Sequence, residues 1–240
     1  MWTNTNLKMA NQIDAEQFLQ VARPALASGD AAKLARVTRV RWRPNQLCQL
    51  TRHPQVDVRR VAALTVGLIG DMRCTPCLTR ALRDEDEQVN QMAEHGLWSI
   101  WFRAGRTDAV GPFREGVALL SIEAHQEAVE RFHEANRIDP DFAEAYNQSA
   151  IAHCFLSEWE ESLANSHKTI RLLPTHFGAI AGMGHCFAQL GDLDRALQCY
   201  RSALRINPRL KAIARAIRGL EIKIPDFGAA PDPLVDRNPN

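Results

Sequence analysis

The sequence predicts an all-α fold in which helical hairpins stack into a right-handed α–α superhelix, and two periodicities lead to this prediction. Dipeptides that end in proline recur every 34 residues, at Asp139-Pro140, Leu173-Pro174 and Asn207-Pro208. Upstream, apolar residues recur at a spacing of 31, as at Val58 and Val89. Fixed periods of this length indicate stacked units, each too small to bury its apolar face alone.

The composition excludes several other classes of protein. The chain has 240 residues, 45% hydrophobic, 24% charged and 7% aromatic, which excludes a disordered, collagenous or coiled-coil chain. No run approaches eighteen apolar residues, and the stretch from Met1 to Gln20 is too polar for a signal peptide. We expect a cytoplasmic protein without a membrane segment, whose six cysteines are reduced thiols.

Residues 1–44 are predicted to hold two helices, which either form a degenerate repeat or cap the array. Ser28-Gly29-Asp30 separates them, because glycine suits a helix C-terminus and aspartate suits the next N-cap. Residues 45–104 follow as two units, each with a short helix, an acidic turn (Asp57, or 84–87) and a longer apolar helix. Through the runs 57–64 and 67–71, these units resemble the HEAT-like repeats of bacterial proteins.

Residues 109–210 align as three windows of 34 residues with small residues in register. They are Gly116, Ala150 and Gly184, then Ala128, Ser162 and Ala196, then Ala135, Thr169 and Ala203. Small residues let two antiparallel helices approach closely, while Phe132 and Tyr200 fill space in the second helix and each proline ends it. This pattern resembles the tetratricopeptide repeat family, which implies three helical hairpins.

The two ends of the arrays show further helical patterns. Apolar residues at helical spacing predict a capping helix over 211–224, and the proline-rich residues 225–240 predict a loose tail.

The segment 97–102 is apolar almost all round its turn, so it must be covered. Because only 103–108 separates it from the first 34-residue unit, we infer that both arrays join in one solenoid. It could instead cover only its own core, or bind a ligand through Trp98 and Trp101.

The sequence shows no set of catalytic residues and no cofactor or metal site. Cys74 and Cys77 have the spacing of a redox pair, but without a second pair or a βαβ pattern we interpret them as structural and leave a redox role open. Glu94-His95 occurs once and cannot form a dinuclear site. Phosphate loops and nucleophile motifs are missing. We expect a protein that is not an enzyme, with a lyase of the HEAT-like type as an alternative.

Charge is distributed unevenly along the chain. Residues 1–60 have 10 basic and 4 acidic residues, 61–200 have 11 and 20, and 201–240 have 8 and 4, within a total of +1. Arg39, Arg43, Arg59 and Arg60 form a candidate basic face for nucleic acid, as in HEAT-like DNA glycosylases. The acidic centre opposes a long duplex, so we favour solvated or ion-paired arginines.

The resemblance to tetratricopeptide proteins implies a concave groove lined by the first helices of the repeats. It lacks the Lys/Asn/Arg clamp with which some relatives hold a C-terminal carboxylate, so the predicted ligand is an apolar helical or extended peptide. The leading hypothesis is a non-catalytic scaffold or adaptor for a protein or peptide partner, unless the capping helix covers part of this surface. Oligomeric state stays open. The predicted groove residues are Phe113, Val117, Asn147, Ile151, Phe155, His185 and Gln189.

Overall fold

The structure is a computed structural model that describes residues 13–222, and this part of the chain contains thirteen α-helices and no strand. The helices follow one another as antiparallel hairpins, which confirms the predicted all-α solenoid. The predicted tail 225–240 and the last two residues of the predicted capping helix lie outside the described residues.

The N-terminal array consists of six helices. They are α1 (Ala15–Ala27), α2 (Ala31–Arg39), α3 (Pro44–Leu50), α4 (Val56–Ile69), α5 (Thr75–Ala81) and α6 (Glu87–Phe102). Gly29 adopts a φ of 65° and the Asp30 carboxylate caps α2, as their sequence pattern indicates. Asp86 caps α6 in the same way, whereas Asp57 lies inside the first turn of α4 and does not cap it. Aspartate caps therefore begin three of these six helices, α1, α2 and α6.

The C-terminal array consists of three hairpins and one last helix. They are α7 (Val110–Ser121), α8 (His125–Ile138), α9 (Ala143–Phe155), α10 (Trp159–Leu172), α11 (Phe177–Gln189), α12 (Leu193–Ile206) and α13 (Lys211–Glu221). The buried face of α13, with Ile213 and Ile217, packs against α12 and ends the array.

Within each C-terminal hairpin, a small residue of the first helix faces the second helix. A Cβ added at Gly116 would lie 2.6 Å from the Phe132 ring, and one at Gly184 would lie 2.5 Å from the Tyr200 ring. The middle hairpin has Ala150 at this position, and the Ser162 hydroxyl donates to its carbonyl oxygen at 2.8 Å. The middle hairpin thus has a hydrogen-bonded hydroxyl, that of Ser162, where the other two hairpins have Ala128 and Ala196.

Helix α6 joins the two arrays by lying across the turns between the C-terminal hairpins. Along α6, contacts run from the last of these turns back towards the first hairpin: Glu87 with Lys211, Glu94 with Asn207, Trp101 with His176, and Phe102 with Phe113. The apolar segment 97–102 is covered, as expected. The start of α11 covers Trp98 and Trp101, so the arrays lie alongside each other at this junction instead of meeting only end to end.

A single apolar core extends through this junction. It runs from Phe18 through the buried faces of α4, α5 and α6 and includes Ala143, Leu173 and Phe177 of the C-terminal array. Trp101 is the largest fully buried side chain within it. Because burial of apolar area is the main favourable term in folding, the two arrays stabilise each other.

Helices α4 and α6 cross at two glycines. A Cβ added at Gly67 would lie 2.5 Å from the Gly96 Cα, so the two backbones are in direct contact. Any side chain at Gly67 would therefore push backbone against backbone, and neither helix can yield locally.

The cysteines differ from the expectation of free thiols. Cys48 of α3 and Cys77 of α5 form a disulfide with Cα atoms 5.7 Å apart, within the usual range for such bonds. Cys74 stays a free, buried thiol whose pKa is raised by burial. Cys77 therefore pairs with the neighbouring hairpin and not with Cys74, so the Cys74–Cys77 spacing does not mark a redox pair.

Candidate functional site

The first helices of the C-terminal hairpins form one layer of that array. Helix α7 contacts α9, and α9 contacts α11, while α8, α10 and α12 pack behind them. The predicted groove is the outer surface of this first-helix layer.

Helix α6 closes the end of the groove at which the first helices begin. The Trp98 ring packs directly against Gly178, since a Cβ added to this glycine would be 2.6 Å from the ring. Trp101 stacks on His176 with ring centroids 4.2 Å apart. This end of the groove is thus occupied by the chain itself, by α6 and not by the capping helix α13.

A buried carboxylate organises the closed end. Glu144 is 1% exposed, and its Oε1 accepts hydrogen bonds from Asn147 Nδ2 at 3.0 Å and Gln148 Nε2 at 2.7 Å. Its Oε2 lies 2.8 Å from Nε2 of His176, whose Nδ1 accepts the Ala179 amide at 3.0 Å. Since Nδ1 is an acceptor, Nε2 holds the ring proton and donates it to Glu144. The carboxylate is therefore held by three donors.

Two of the predicted groove residues are not at the surface. Phe113 is 1% exposed and packs between Phe102, Phe132 and Phe142 in the core of the first hairpin. Asn147 is 2% exposed, and its amide is engaged with Glu144. Both residues support the fold, and a ligand in the groove would not reach them.

The other predicted groove residues lie on the open part of the layer. Phe155 is 65% exposed and stacks on the His125 ring at 4.7 Å, which fixes an apolar side chain at the surface. Gln189 is exposed, and Val117 and Ile151 are half-buried. The open part therefore offers apolar contact area around Phe155.

His185 adds a polar group to the open part. Its Nδ1 shares a hydrogen bond of 2.8 Å with the Tyr200 hydroxyl. Burial of the ring lowers the pKa of His185, so the side chain is neutral at pH 7, and burial raises the pKa of Tyr200 to about 12. A ligand in this part of the groove would meet a neutral imidazole held in one orientation.

Comparison with known proteins assigns part of the C-terminal array. Residues 179–210 match the family model described as Tetratricopeptide repeat. This stretch is similar to a tetratricopeptide repeat. It is α11, α12 and the turn that follows them, the third of the predicted 34-residue units. The HEAT-like interpretation of residues 45–104 stays a prediction.

Two curated relatives match over less than half of the chain. Anaphase-promoting complex subunit 3 from Schizosaccharomyces pombe is 28% identical over 108 residues, which are 45% of this chain and 16% of that protein. Hsp70-Hsp90 organizing protein 1 from Glycine max is 28% identical over 104 residues, 43% of this chain and 18% of that protein. The match therefore spans less than a fifth of either relative.

Solved structures of tetratricopeptide domains are also similar to part of the chain. The Sgt2 TPR domain from Aspergillus fumigatus has 16% sequence identity and a TM-score of 0.49, covering 57% of this chain and 92% of that chain.

The predicted basic face is divided by the structure. Arg59 makes two hydrogen bonds to Asp84, at 2.8 and 2.9 Å, and Arg60 makes two to Asp86, at 2.9 and 2.6 Å. These ion pairs connect α4 with the turn before α6, and the Arg60 guanidinium lowers the pKa of Asp86 to about 2. Only Arg39 and Arg43 of the four are exposed, so Arg59 and Arg60 serve the fold.

Residues 13–222 contain neither a candidate metal site nor a candidate membrane-spanning helix. Within this range no group of three or more His, Cys, Asp or Glu side chains is placed to hold a metal ion. None of the helices between α1 and α13 is both long and apolar enough to cross a membrane.

The sequence did not predict the hydrogen bonds of Glu144, His176, Ser162 or Cys186, although Ser162 stands in the small-residue register. Each lies at an ordinary helix position, and only the packing of α6 and of neighbouring repeats shows what it contacts. The one sequence signal for Glu144 is that no other residue of α9 is acidic.

Proposed function

We propose that the protein is a non-catalytic scaffold that binds a peptide segment of a partner protein on the open part of the first-helix layer. One observation leads to this proposal: Phe155 is a large aromatic side chain that is 65% exposed and stacks on the His125 ring, in an array whose last hairpin matches the tetratricopeptide repeat. Exposed aromatic residues on a rigid surface are the usual anchors of protein interfaces.

The chemistry of the groove selects among peptide ligands. One similar structure shows a TPR of Spaghetti (RPAP3) bound to the HSP90 peptide SRMEEVD. In the present chain the Asn147 amide is engaged, and the Glu144 carboxylate lies at the closed end, where it would repel a carboxylate. We therefore propose an internal apolar segment as ligand, with Phe155 as the anchor and His185 and Gln189 as polar contacts.

A peptide selection tests this function directly. The immobilised full chain is offered a library of internal apolar peptides together with SRMEEVD, and affinities of selected peptides are measured by fluorescence polarisation. We expect apolar peptides to bind and Phe155→Asp to weaken them about 10-fold or more, the loss typical of a central aromatic anchor. The matched control is Val40→Asp, which changes an 81% exposed residue of the N-terminal array.

Two results would contradict the proposal. The first is equal affinity of wild type and Phe155→Asp for the selected peptides, which would remove the anchor. The second is tighter binding of SRMEEVD than of any apolar peptide, which would mean that the closed end accepts a carboxylate.

A further inference from the structure

Two thiols meet between neighbouring helices of the first-helix layer. The Sγ atoms of Cys154 on α9 and Cys186 on α11 are 3.4 Å apart. Cys154 is half-buried and Cys186 is fully buried. The hydroxyl oxygen of Ser162 on α10 lies 3.0 Å from the first sulfur and 3.2 Å from the second. Neither thiol belongs to the disulfide of the N-terminal array.

The surroundings give the two sulfurs different roles. The facing Cys186 thiol lowers the pKa of Cys154 against the effect of burial. The same proximity, together with burial, raises the pKa of Cys186. Since the thiolate is the attacking species in thiol–disulfide exchange, Cys154 is the nucleophile, and it is also the sulfur that solvent reaches. Cys186 is the enclosed resolving thiol.

We propose that Cys154 and Cys186 form a redox-modification site, at which a small disulfide such as oxidised glutathione converts the two thiols into an intramolecular disulfide. The geometry supports this, because the sulfurs are in contact and need to approach by only about 1.4 Å to reach the bond length of a disulfide. The site goes beyond the proposed peptide binding and does not require it.

The reaction proceeds in two exchange steps. The Cys154 thiolate attacks one sulfur of oxidised glutathione, whose S–S bond breaks as one glutathione thiolate leaves. Cys186 then loses its proton to water and attacks the Cys154 sulfur of the mixed disulfide, and the second glutathione thiolate leaves. The two cysteine thiols are oxidised by two electrons, and one oxidised glutathione becomes two reduced molecules.

The bond would connect two successive repeats. Cys154 and Cys186 belong to neighbouring first helices, so the disulfide fixes the spacing of α9 and α11 beside Phe155. Cys199 on α12 is the natural comparison: it is also half-buried, and among the described residues no sulfur lies within hydrogen-bonding distance of it.

Peptide mapping of the full chain tests the site. The protein is incubated with oxidised glutathione at pH 7, digested with trypsin without reduction, and analysed by mass spectrometry. Cleavage after Lys168, Arg171 and Arg195 places the three cysteines on separate peptides. We expect a linked Cys154–Cys186 peptide as the main product. Cys199→Ser should give the same link, whereas Cys186→Ser should accumulate glutathione on Cys154.

A second measurement uses only the folded wild type. Iodoacetamide should alkylate Cys154 at least about 10-fold faster than Cys199 at pH 7, because only Cys154 has a lowered pKa. Equal alkylation rates, or a glutathione product without the Cys154–Cys186 link, would overturn the proposal. No peptide ligand is present in either experiment, so the outcome is independent of the proposed function.

Discussion

Single residues at the junction show how a polar group is kept inside a helical array. Glu144 is buried with three donors around it, and His176 uses both ring nitrogens, one towards Glu144 and one towards the Ala179 amide. A buried carboxylate is tolerated only when such donors are present. Asn147 is a predicted groove residue, yet its amide points into this cluster. A sequence pattern places a residue on a helix face and does not reveal which neighbour comes to cover that face.

Replacing the carboxylate by an amide tests this cluster. Glu144→Gln has one acceptor oxygen and turns an N–H group towards at least one of the three donors. We expect the free energy of unfolding in urea to fall by about 1–3 kcal/mol, the usual cost of an unsatisfied buried polar group. Glu130→Gln, on the exposed face of α8, should leave the free energy of unfolding almost unchanged. Equal stability of the two variants would contradict the role of Glu144.

At the scale of helices, the sequence predicted the elements well and their contacts less well. Helices are present in all three 34-residue units, and Gly184 faces Tyr200 as the small-residue register indicates. The N-terminal period of 31 paired equivalent residues, but the residues that touch are offset from it. The disulfide joins Cys48 and Cys77, which are 29 residues apart, and the helix crossing joins Gly67 and Gly96 at the same separation. Periodicity identifies equivalent positions, and the tilt between helices determines which of them meet.

The glycine crossing gives a test at this scale. Gly67→Ala places a methyl group against the backbone of Gly96, so we expect a loss of about 1–3 kcal/mol and a lower melting temperature. Gly182→Ala is the matched control, because it lies inside α11 with no atom within 4 Å of the added Cβ. There the better helix propensity of alanine should raise stability by up to about 1 kcal/mol. A Gly67→Ala variant that melts with or above wild type would refute the close crossing.

At the scale of the whole molecule, the position of α6 could not be predicted from the sequence. The apolar run 97–102 indicated that something covers it, and the short link 103–108 suggested the next hairpin. The link 103–108 instead leaves α6 lying alongside the C-terminal array. Within the link, the Arg106 amide donates to the Asp139 carboxylate at 2.8 Å. The direction of a short connection depends on such local contacts, which a repeat pattern does not encode. The groove predicted from the sequence is therefore shortened by α6 at the end where the first helices begin.

The shared core predicts that the two arrays unfold together. Trp101→Ala removes the largest buried side chain from this core, so we expect about 3–5 kcal/mol of destabilisation and one cooperative transition at a lower temperature. Circular dichroism during heating measures both. Leu172→Ala, which changes a 39% exposed residue of α10, is the control for a small loss. Two separated transitions in wild type would show that the arrays are independent.

The course of α6 across successive turns has a mechanical consequence. In most repeat arrays each unit contacts only its neighbours, so the spacing of the units can change elastically along the superhelix. Here α6 (Glu87–Phe102), which is about 24 Å long at 1.5 Å per residue, lies alongside the C-terminal hairpins. It fixes the pitch of the superhelix, so the proposed peptide ligand would meet a preformed surface. Little conformational entropy of the protein would then be lost on binding.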